Sequence, residues 1–89
     1  MNEIRAETQL TEEQIRQILR PGMRFMVNDY EYGNCPISIE NVENKDDGRI
    51  WVDWHLAAKH TTFHYGQTFD TLVEYLVEAK ASKIFGVGG

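Results

Sequence analysis

The stretch Arg49-Ile50-Trp51-Val52-Asp53-Trp54-His55-Leu56 decides how this chain folds. Its apolar residues fall at every second position, which is the period of a β-strand. One face of the strand carries Ile50, Val52, Trp54 and Leu56, and the other carries Trp51, Asp53 and His55. Because each face presents a tryptophan, we expect this strand to be central, with other parts of the chain packed on both sides of it.

The size and charge of the chain limit its functions. It has 89 residues and a formal net charge of −5, with 14 acidic against 9 basic residues. That length fits one small domain with a thin core. The basic residues are scattered, whereas binding to nucleic acid needs clustered lysine and arginine. The composition therefore disfavours direct nucleic-acid binding and favours a basic protein partner.

The composition also suggests a compartment. The single cysteine, Cys35, cannot form an internal disulfide. The sequence shows neither a signal-peptide pattern nor an apolar run of membrane-spanning length. We therefore expect a cytoplasmic protein that does not bind membranes.

Two amphipathic helices flank the predicted strands. The first begins at Thr11, whose spacing to Gln14 fits a capping box, and ends near Arg20 because a Pro-Gly pair follows. The second begins after Thr68, a plausible N-cap, and runs to about Ser82. Its apolar stripe consists of Phe69, Leu72, Val73, Leu76 and Val77. We expect this longer helix to cover one face of the sheet and the first helix to lie on the other face or at an edge.

Three or four strands are predicted between the helices. The first covers residues 23–32 and is followed by a Gly-Asn-Cys-Pro turn, and the second covers residues 37–42. An Asp-Gly turn then leads into the central strand at residues 49–56. A fourth strand at residues 61–65 is the least certain, because residues 55–61 could instead form one helical turn.

Together these segments predict an α+β fold with the order helix, three or four strands, helix. Consecutive strands joined by short turns favour an antiparallel meander, and the sheet could curl towards a small barrel. Residues 1–9 resemble a loose N-terminal arm and residues 84–89 a flexible tail. The whole chain is expected to form a single small domain.

The face of the sheet opposite the predicted core carries an excess of large side chains. The first helix offers only Ile15, Ile18 and Leu19 to cover them, so part of this face should stay open. An exposed aromatic and methionine patch with a polar rim is typical of protein interfaces. The predicted partner-binding residues are Met26, Tyr30, Tyr32 and Trp51, with Val42 a further candidate for the same face.

Two groups of residues could carry chemistry, and neither is specific. His55, His60 and His64, with Cys35, have the side chains of a zinc site, but no Cys-x-x-Cys pair is present. The sequence therefore predicts no metal and no cofactor. Asp53 and His55 share a strand face, as a carboxylate and a general base can. No nucleophile is placed beside them, so we predict no catalytic residues.

Three functional hypotheses follow. The first is a non-enzymatic protein–protein interaction module that binds a basic partner or a second copy of itself. The second is an acidic inhibitor of a nucleic-acid enzyme, of the anti-CRISPR-like kind that phages and mobile elements encode. The third is a small hydrolase or carrier. Its basis is the Asp53–His55 pair or the Gly88-Gly89 end, which resembles the tail of ubiquitin-like sulfur carriers and modifiers.

Overall fold

The computed structural model describes residues 9–84. The elements in chain order are α1 (Glu12–Ile18), β1 (Arg24–Asp29), β2 (Gly33–Asn44), β3 (Ile50–Ala57), β4 (Thr62–Thr68), α2 (Phe69–Glu78) and β5 (Ser82–Lys83). The strands form one antiparallel sheet in the order β4-β3-β2-β1-β5. The predicted α+β class and antiparallel sheet are confirmed. The predicted arm at residues 1–9 and tail at residues 84–89 lie almost entirely outside the described residues.

The sheet differs from the prediction in strand number and in closure. It has five strands rather than three or four, because β5 adds a short edge beside β1. The fourth predicted strand forms and extends to Thr68. The sheet is open, with β4 at one edge and β5 at the other, so it does not close into a barrel. Neither helix of residues 9–84 has both the length and the apolar character needed to cross a membrane.

The first helix begins where the sequence predicts. The Thr11 hydroxyl accepts a hydrogen bond from the backbone N–H of Gln14 at 3.2 Å, and the Gln14 side chain accepts one from the Thr11 N–H at 2.9 Å. This reciprocal pair is a capping box, so that prediction is confirmed. The helix ends at Ile18, two residues before the expected end.

The second helix ends at Glu78 rather than near Ser82. Lys80 adopts a positive φ of 57°, which breaks the helical geometry. The backbone N–H of Ala81 donates to the carbonyl of Leu76 at 2.9 Å, and that of Lys80 donates to Val77 at 3.1 Å. This pattern is a Schellman motif with lysine in the place that glycine usually takes. It frees the following residues to pair with β1 as β5.

The turn between β1 and β2 lies earlier than the sequence predicts. Asp29 accepts hydrogen bonds from the backbone N–H groups of Glu31 and Tyr32, at 2.8 and 3.1 Å. This turn is of the type that aspartate side chains stabilise. It ends β1 at Asp29, and β2 begins at Gly33, so the predicted turn at residues 33–36 is wrong.

Both helices pack into the same core on one side of the sheet, so α1 does not cover the other face, which was one of the two positions predicted for it. The sheet contributes one set of alternating side chains to the core: Phe25, Val27, Cys35, Ile37, Ile39, Val52, Trp54 and Leu56. Ile15 of α1 and Leu72 of α2 belong to this same core. Arg16 of α1 donates to Asp70 of α2 at 2.8 Å, so the helices also touch each other.

The opposite face of the sheet, here called the open face, is mostly polar and needs no second cover. It carries Met26, Asn28, Ser38, Glu40, Trp51, Asp53, His55 and His64. This face carries fewer large apolar side chains than the sequence predicts, for two reasons. Tyr30 and Tyr32 belong to a turn rather than to β1. A β-bulge between Ile39 and Asn41 reverses the alternation, so Val42 packs against the core.

Candidate functional site

A cleft lined by aromatic rings lies on the helix-covered side of the sheet, between the turn at residues 30–32 and strands β3 and β4. It has a volume of about 270 Å³. Its rings belong to Tyr30, Tyr32, Trp54, Tyr65 and Tyr75. Its carboxylates belong to Asp29 and Glu31. We refer to these seven residues as the aromatic cleft.

Stacking holds four of the five rings of the aromatic cleft, and Tyr30 is the exception. Trp54 stacks on Tyr65, with 4.6 Å between ring centroids, and on Tyr75 at 5.5 Å. Tyr32 stacks on the neighbouring Phe63 at 4.9 Å. The planes of all three pairs lie within 30° of parallel. Tyr65 is still 40% exposed and Tyr32 is 38% exposed, so the cleft presents ordered aromatic surface to solvent.

Asp29 links the turn to α2. Its second carboxylate oxygen accepts a hydrogen bond of 2.7 Å from the Tyr75 hydroxyl, while its first caps the turn. Partial burial acts to raise the pKa of Asp29, but the bonds from Tyr75 and from the backbone of Glu31 and Tyr32 outweigh it, so the pKa lies below its ordinary value. Burial and the bond to Asp29 raise the pKa of Tyr75. The cleft therefore holds a negative charge at neutral pH.

Tyr30 stands at the tip of the turn and is 97% exposed. It lines both the aromatic cleft and a neighbouring cavity of about 310 Å³, whose other walls include Asn28, Tyr75 and Glu78. A tyrosine that buries almost none of its surface contributes little to folding. Its ring is therefore available to a binding partner.

The four predicted partner-binding residues do not form one surface. Tyr30 and Tyr32 belong to the aromatic cleft, on the helix-covered side. Met26 and Trp51 lie on the open face, on strands separated by β2. Met26 pairs with Pro36 of β2, and the strand register places Trp51 about six residues further along the sheet, on β3. At about 3.3 Å per residue, the two side chains are about 20 Å apart.

Trp51 is held by its own chain. Its ring nitrogen donates to Asp53 at 3.2 Å, and its ring lies over Gly66, where a Cβ atom would come within 2.8 Å of that nitrogen. The ammonium group of Lys45 lies 5.9 Å from the ring centroid. Asp53 accepts the hydrogen bond of the Trp51 ring nitrogen. The side chain that hydrogen-bonds to His55 is that of Glu40, at 2.7 Å, and not that of Asp53.

The zinc ligands considered from the sequence are not assembled as a set. Cys35 is buried on the helix-covered face, where its thiol donates to the Gly33 carbonyl at 3.5 Å. Burial, and to a smaller extent the charge of Asp29, raises the pKa of this thiol. His60 lies in the exposed turn between β3 and β4. The structure does bring together His55 and His64, with Glu40 as a third group.

Glu40 cannot be grouped with the two histidines from the sequence, because its contact with them depends on the pairing of three strands. Regular alternation from Ile37 puts Glu40 on the open face, and the bulge adds its neighbour Asn41 to the same face. Glu40 lies diagonally from His55, whose direct partner on β2 is Ser38. A bulge of this kind leaves no signal in residue types alone.

No protein-family model matches this chain, and no curated protein or solved structure resembles it significantly. At the level of class, the chain is an α+β protein whose antiparallel sheet is covered on one face by two helices. Its candidate sites are the aromatic cleft at the border of the covered face and the Glu40–His55–His64 cluster on the open face.

Proposed function

We propose that this protein is a non-enzymatic interaction module that binds an extended, basic segment of a partner protein in the aromatic cleft. The observation that carries the proposal is the combination of ordered, partly exposed rings with a carboxylate rim. Rings of this kind are typical binding hot spots, and carboxylates beside them favour lysine or arginine.

Four of the five rings of the cleft, all but Tyr30, are already held in place before a partner arrives. Trp54, Tyr65 and Tyr75 hold one another by stacking, and Tyr75 is also hydrogen-bonded to Asp29. Binding therefore costs little side-chain entropy, which is one of the main penalties of association. Tyrosine in addition offers a hydroxyl at the wet end of an apolar ring.

Charge supports a basic partner. Asp29 and Glu31 lie in the cleft. Glu78 lines the adjoining cavity, which shares Tyr30 with the cleft as a lining residue. The net charge of −5 extends this attraction over the whole molecule. A guanidinium or ammonium group over a tyrosine face gains from the ring quadrupole as well as from the carboxylates. Complementary charge also speeds the encounter of the two proteins.

The edge of the sheet supports an extended partner. Within residues 9–84, β4 pairs with β3 on one side, and its other side is a sheet edge. An added strand can use the free backbone groups of such an edge, as in β-augmentation. Phe63 and Tyr65 alternate on β4 and face the helix-covered side, so side chains of the added strand would reach the cleft.

The test uses a labelled peptide of alternating arginine and valine and measures its binding by fluorescence anisotropy. We expect micromolar binding to the wild-type protein and a loss of at least about tenfold in Tyr30→Ala, which corresponds to about 1.4 kcal/mol. Since Tyr30 is 97% exposed, this variant should fold normally. Ile50→Ala is the matched control, because Ile50 is 38% exposed at the far end of β3, and it should bind as wild type does.

Three outcomes would overturn the proposal. One is equal affinity of Tyr30→Ala and wild type for the peptide, and another is equal affinity for a peptide of alternating glutamate and valine. The third is a wild-type dimer in sedimentation that Tyr30→Ala dissociates, because the cleft would then belong to a second copy of the chain. The inhibitor and carrier hypotheses stay predictions of the sequence, and Gly88-Gly89 lies outside the described residues.

A further inference from the structure

We propose that Glu40, His55 and His64 form a binding site for a divalent transition-metal ion, for which Zn²⁺ is the natural probe. The three side chains lie on the open face, on strands β2, β3 and β4. The site is independent of the proposed function, because the aromatic cleft lies on the opposite side of the sheet.

Strand register brings the ligands together. His55 and His64 are directly opposite each other in the β3–β4 pair. Residues in such pairs have Cβ atoms about 5 Å apart, and the two imidazole centroids are 5.6 Å apart. On the other side of His55, β2 places Ser38 opposite it, and Glu40, two residues further along β2, lies diagonally within reach of both rings. Three adjacent strands thus each supply one ligand.

The distances fit a shared ion. The same carboxylate oxygen of Glu40 lies 2.7 Å from Nδ1 of His55 and 3.6 Å from Nδ1 of His64. One ligand atom from each of the three residues lies within 4.8 Å of the other two. Around a tetrahedral Zn²⁺ with bonds of about 2.0–2.1 Å, ligand atoms are about 3.3 Å apart. Small side-chain rotations within the cluster are sufficient to reach that geometry.

The donor set selects the kind of ion. Two imidazoles and one carboxylate suit Zn²⁺, Cu²⁺ and Ni²⁺, whereas Ca²⁺ and Mg²⁺ prefer oxygen ligands. The carboxylate neutralises part of the charge of the ion. The ion would take the place of the proton that Glu40 and His55 share in their hydrogen bond. Metal binding therefore replaces an existing contact between the same side chains rather than creating an unpaired charge.

The site is accessible and leaves a coordination position open. The side chains of Glu40, His55 and His64 are 39%, 29% and 69% exposed, so an ion can enter from solvent without any opening of the fold. Three protein ligands leave the fourth tetrahedral position to water or to an external group, as in zinc sites that are not purely structural. The sheet backbone beneath the ligands restricts their movement, and such preorganisation favours affinity.

The test titrates tag-free protein with Zn²⁺ in a calorimeter and uses variants that preserve side-chain polarity. We expect one saturable Zn²⁺ site per chain. Glu40→Gln, His55→Gln and His64→Gln should each weaken it by at least about tenfold, because loss of a ligand costs no less than loss of a supporting residue. The matched control His60→Gln removes an imidazole from the adjacent turn and should leave the affinity unchanged.

Further measurements keep the result specific. The melting temperature of each variant without metal should stay close to that of wild type, and Zn²⁺ should raise it in wild type and His60→Gln only. Cys35→Ala should retain the site, since Cys35 is buried on the other face. Loss of binding in Cys35→Ala or His60→Gln, retention in all three ligand variants, or no saturable binding up to about 1 mM Zn²⁺ would each overturn the proposal.

Discussion

The two faces of the sheet use alternate residues of the same strands for different purposes. On β3, Val52, Trp54 and Leu56 are buried beneath the helices, while Trp51, Asp53 and His55 between them are only half-buried. The covered face supplies the apolar burial that drives folding. The open face is mostly polar, and several of its side chains hydrogen-bond to each other, as in the Trp51–Asp53 and His55–Glu40 pairs. A strand with an aromatic residue on each face therefore does not need a covering layer on each face.

The border between the faces explains the position of the aromatic cleft. Trp54 is buried and Tyr75 of α2 is half-buried, whereas Tyr65 of β4 and the tyrosines of the turn at residues 30–32 are more exposed. Rings that begin in the core therefore continue into solvent through Tyr65 and Tyr32. A small domain with two short helices cannot hide every ring that its sheet presents, and the remaining surface is available for binding.

The sharpest test of the difference between the faces compares two neighbours on β1. Phe25 is completely buried, whereas Met26 points to the open face and is 37% exposed. We expect Phe25→Ala to lower the free energy of unfolding by about 3–5 kcal/mol and Met26→Ala by less than about 1 kcal/mol. Urea unfolding of both variants measures this. Similar losses would show that the open face is covered in solution.

A second test probes the packing on the open face itself. A methyl group at Gly66 would lie 2.8 Å from the Trp51 ring nitrogen and 3.0 Å from the Asp53 carboxylate. We expect Gly66→Ala to cost about 2 kcal/mol, because the ring must move and its hydrogen bond to Asp53 is lost. In a Trp51→Val background the same change should cost clearly less, since the closer of the two contacts, that with the ring, is absent. An equal cost in both backgrounds would contradict the arrangement.

A third test uses pH at the border of the two faces. The pKa of Asp29 is lowered in the folded protein, so its charged form stabilises the fold above the unfolded pKa, and this contribution is lost as the pH falls through the folded pKa. We expect Asp29→Asn to cost about 1–2 kcal/mol at pH 7.

The difference between Asp29→Asn and wild type should shrink between about pH 5 and pH 2, where the wild-type carboxyl becomes protonated. Chemical denaturation at several pH values measures this difference. Asp46→Asn, in the exposed loop between β2 and β3, is the charge control and should follow the wild-type profile. A constant difference between Asp29→Asn and wild type over this range would contradict the role given to the Asp29 charge.

The smallest effect concerns the shorter helix of the cover. Thr11→Ala removes the hydroxyl of the capping box, and we expect a loss of about 1 kcal/mol. Because Ile15 of α1 is buried against the shared core, this loss should appear in global unfolding and not only in fraying of the helix end. Thr11→Ser, which keeps the hydroxyl, should behave as wild type. If hydrogen exchange detects unfolding of α1 alone, the two helices unfold independently and the prediction is wrong.

The sequence predicts the elements of this fold better than their arrangement. Alternation in residues 49–56 marks β3 to within one residue, and the spacing of Thr11 and Gln14 marks the start of α1, because both signals are local. The end of α2 was placed too late, since a lysine with positive φ gives no compositional sign of a helix end. The turn after Asp29 was placed too late because the two tyrosines beyond it continue the apolar alternation.

The candidate sites show the same division. The sequence predicts Tyr30 and Tyr32 as partner-binding residues because they continue the alternation of the first strand on the face opposite the core. Phe63, on which Tyr32 stacks, could not be assigned to it from the sequence, since the two residues lie far apart in the chain. The sequence shows His55 and His64 as possible metal ligands, but Glu40 comes near them only through the register of strands β2, β3 and β4.

The residues alone therefore determined which segments are strands and helices and which side of each is apolar, because these depend on periods of two and 3.6 residues along the chain. Tertiary structure alone decided that both helices share one face, that β5 adds an edge, and that Glu40 meets two histidines. The first outcome depends on how much apolar surface the whole sheet presents on each side, which the bulge in β2 changes by turning Val42 to the core. The other two depend on how strands far apart in the chain pair with each other.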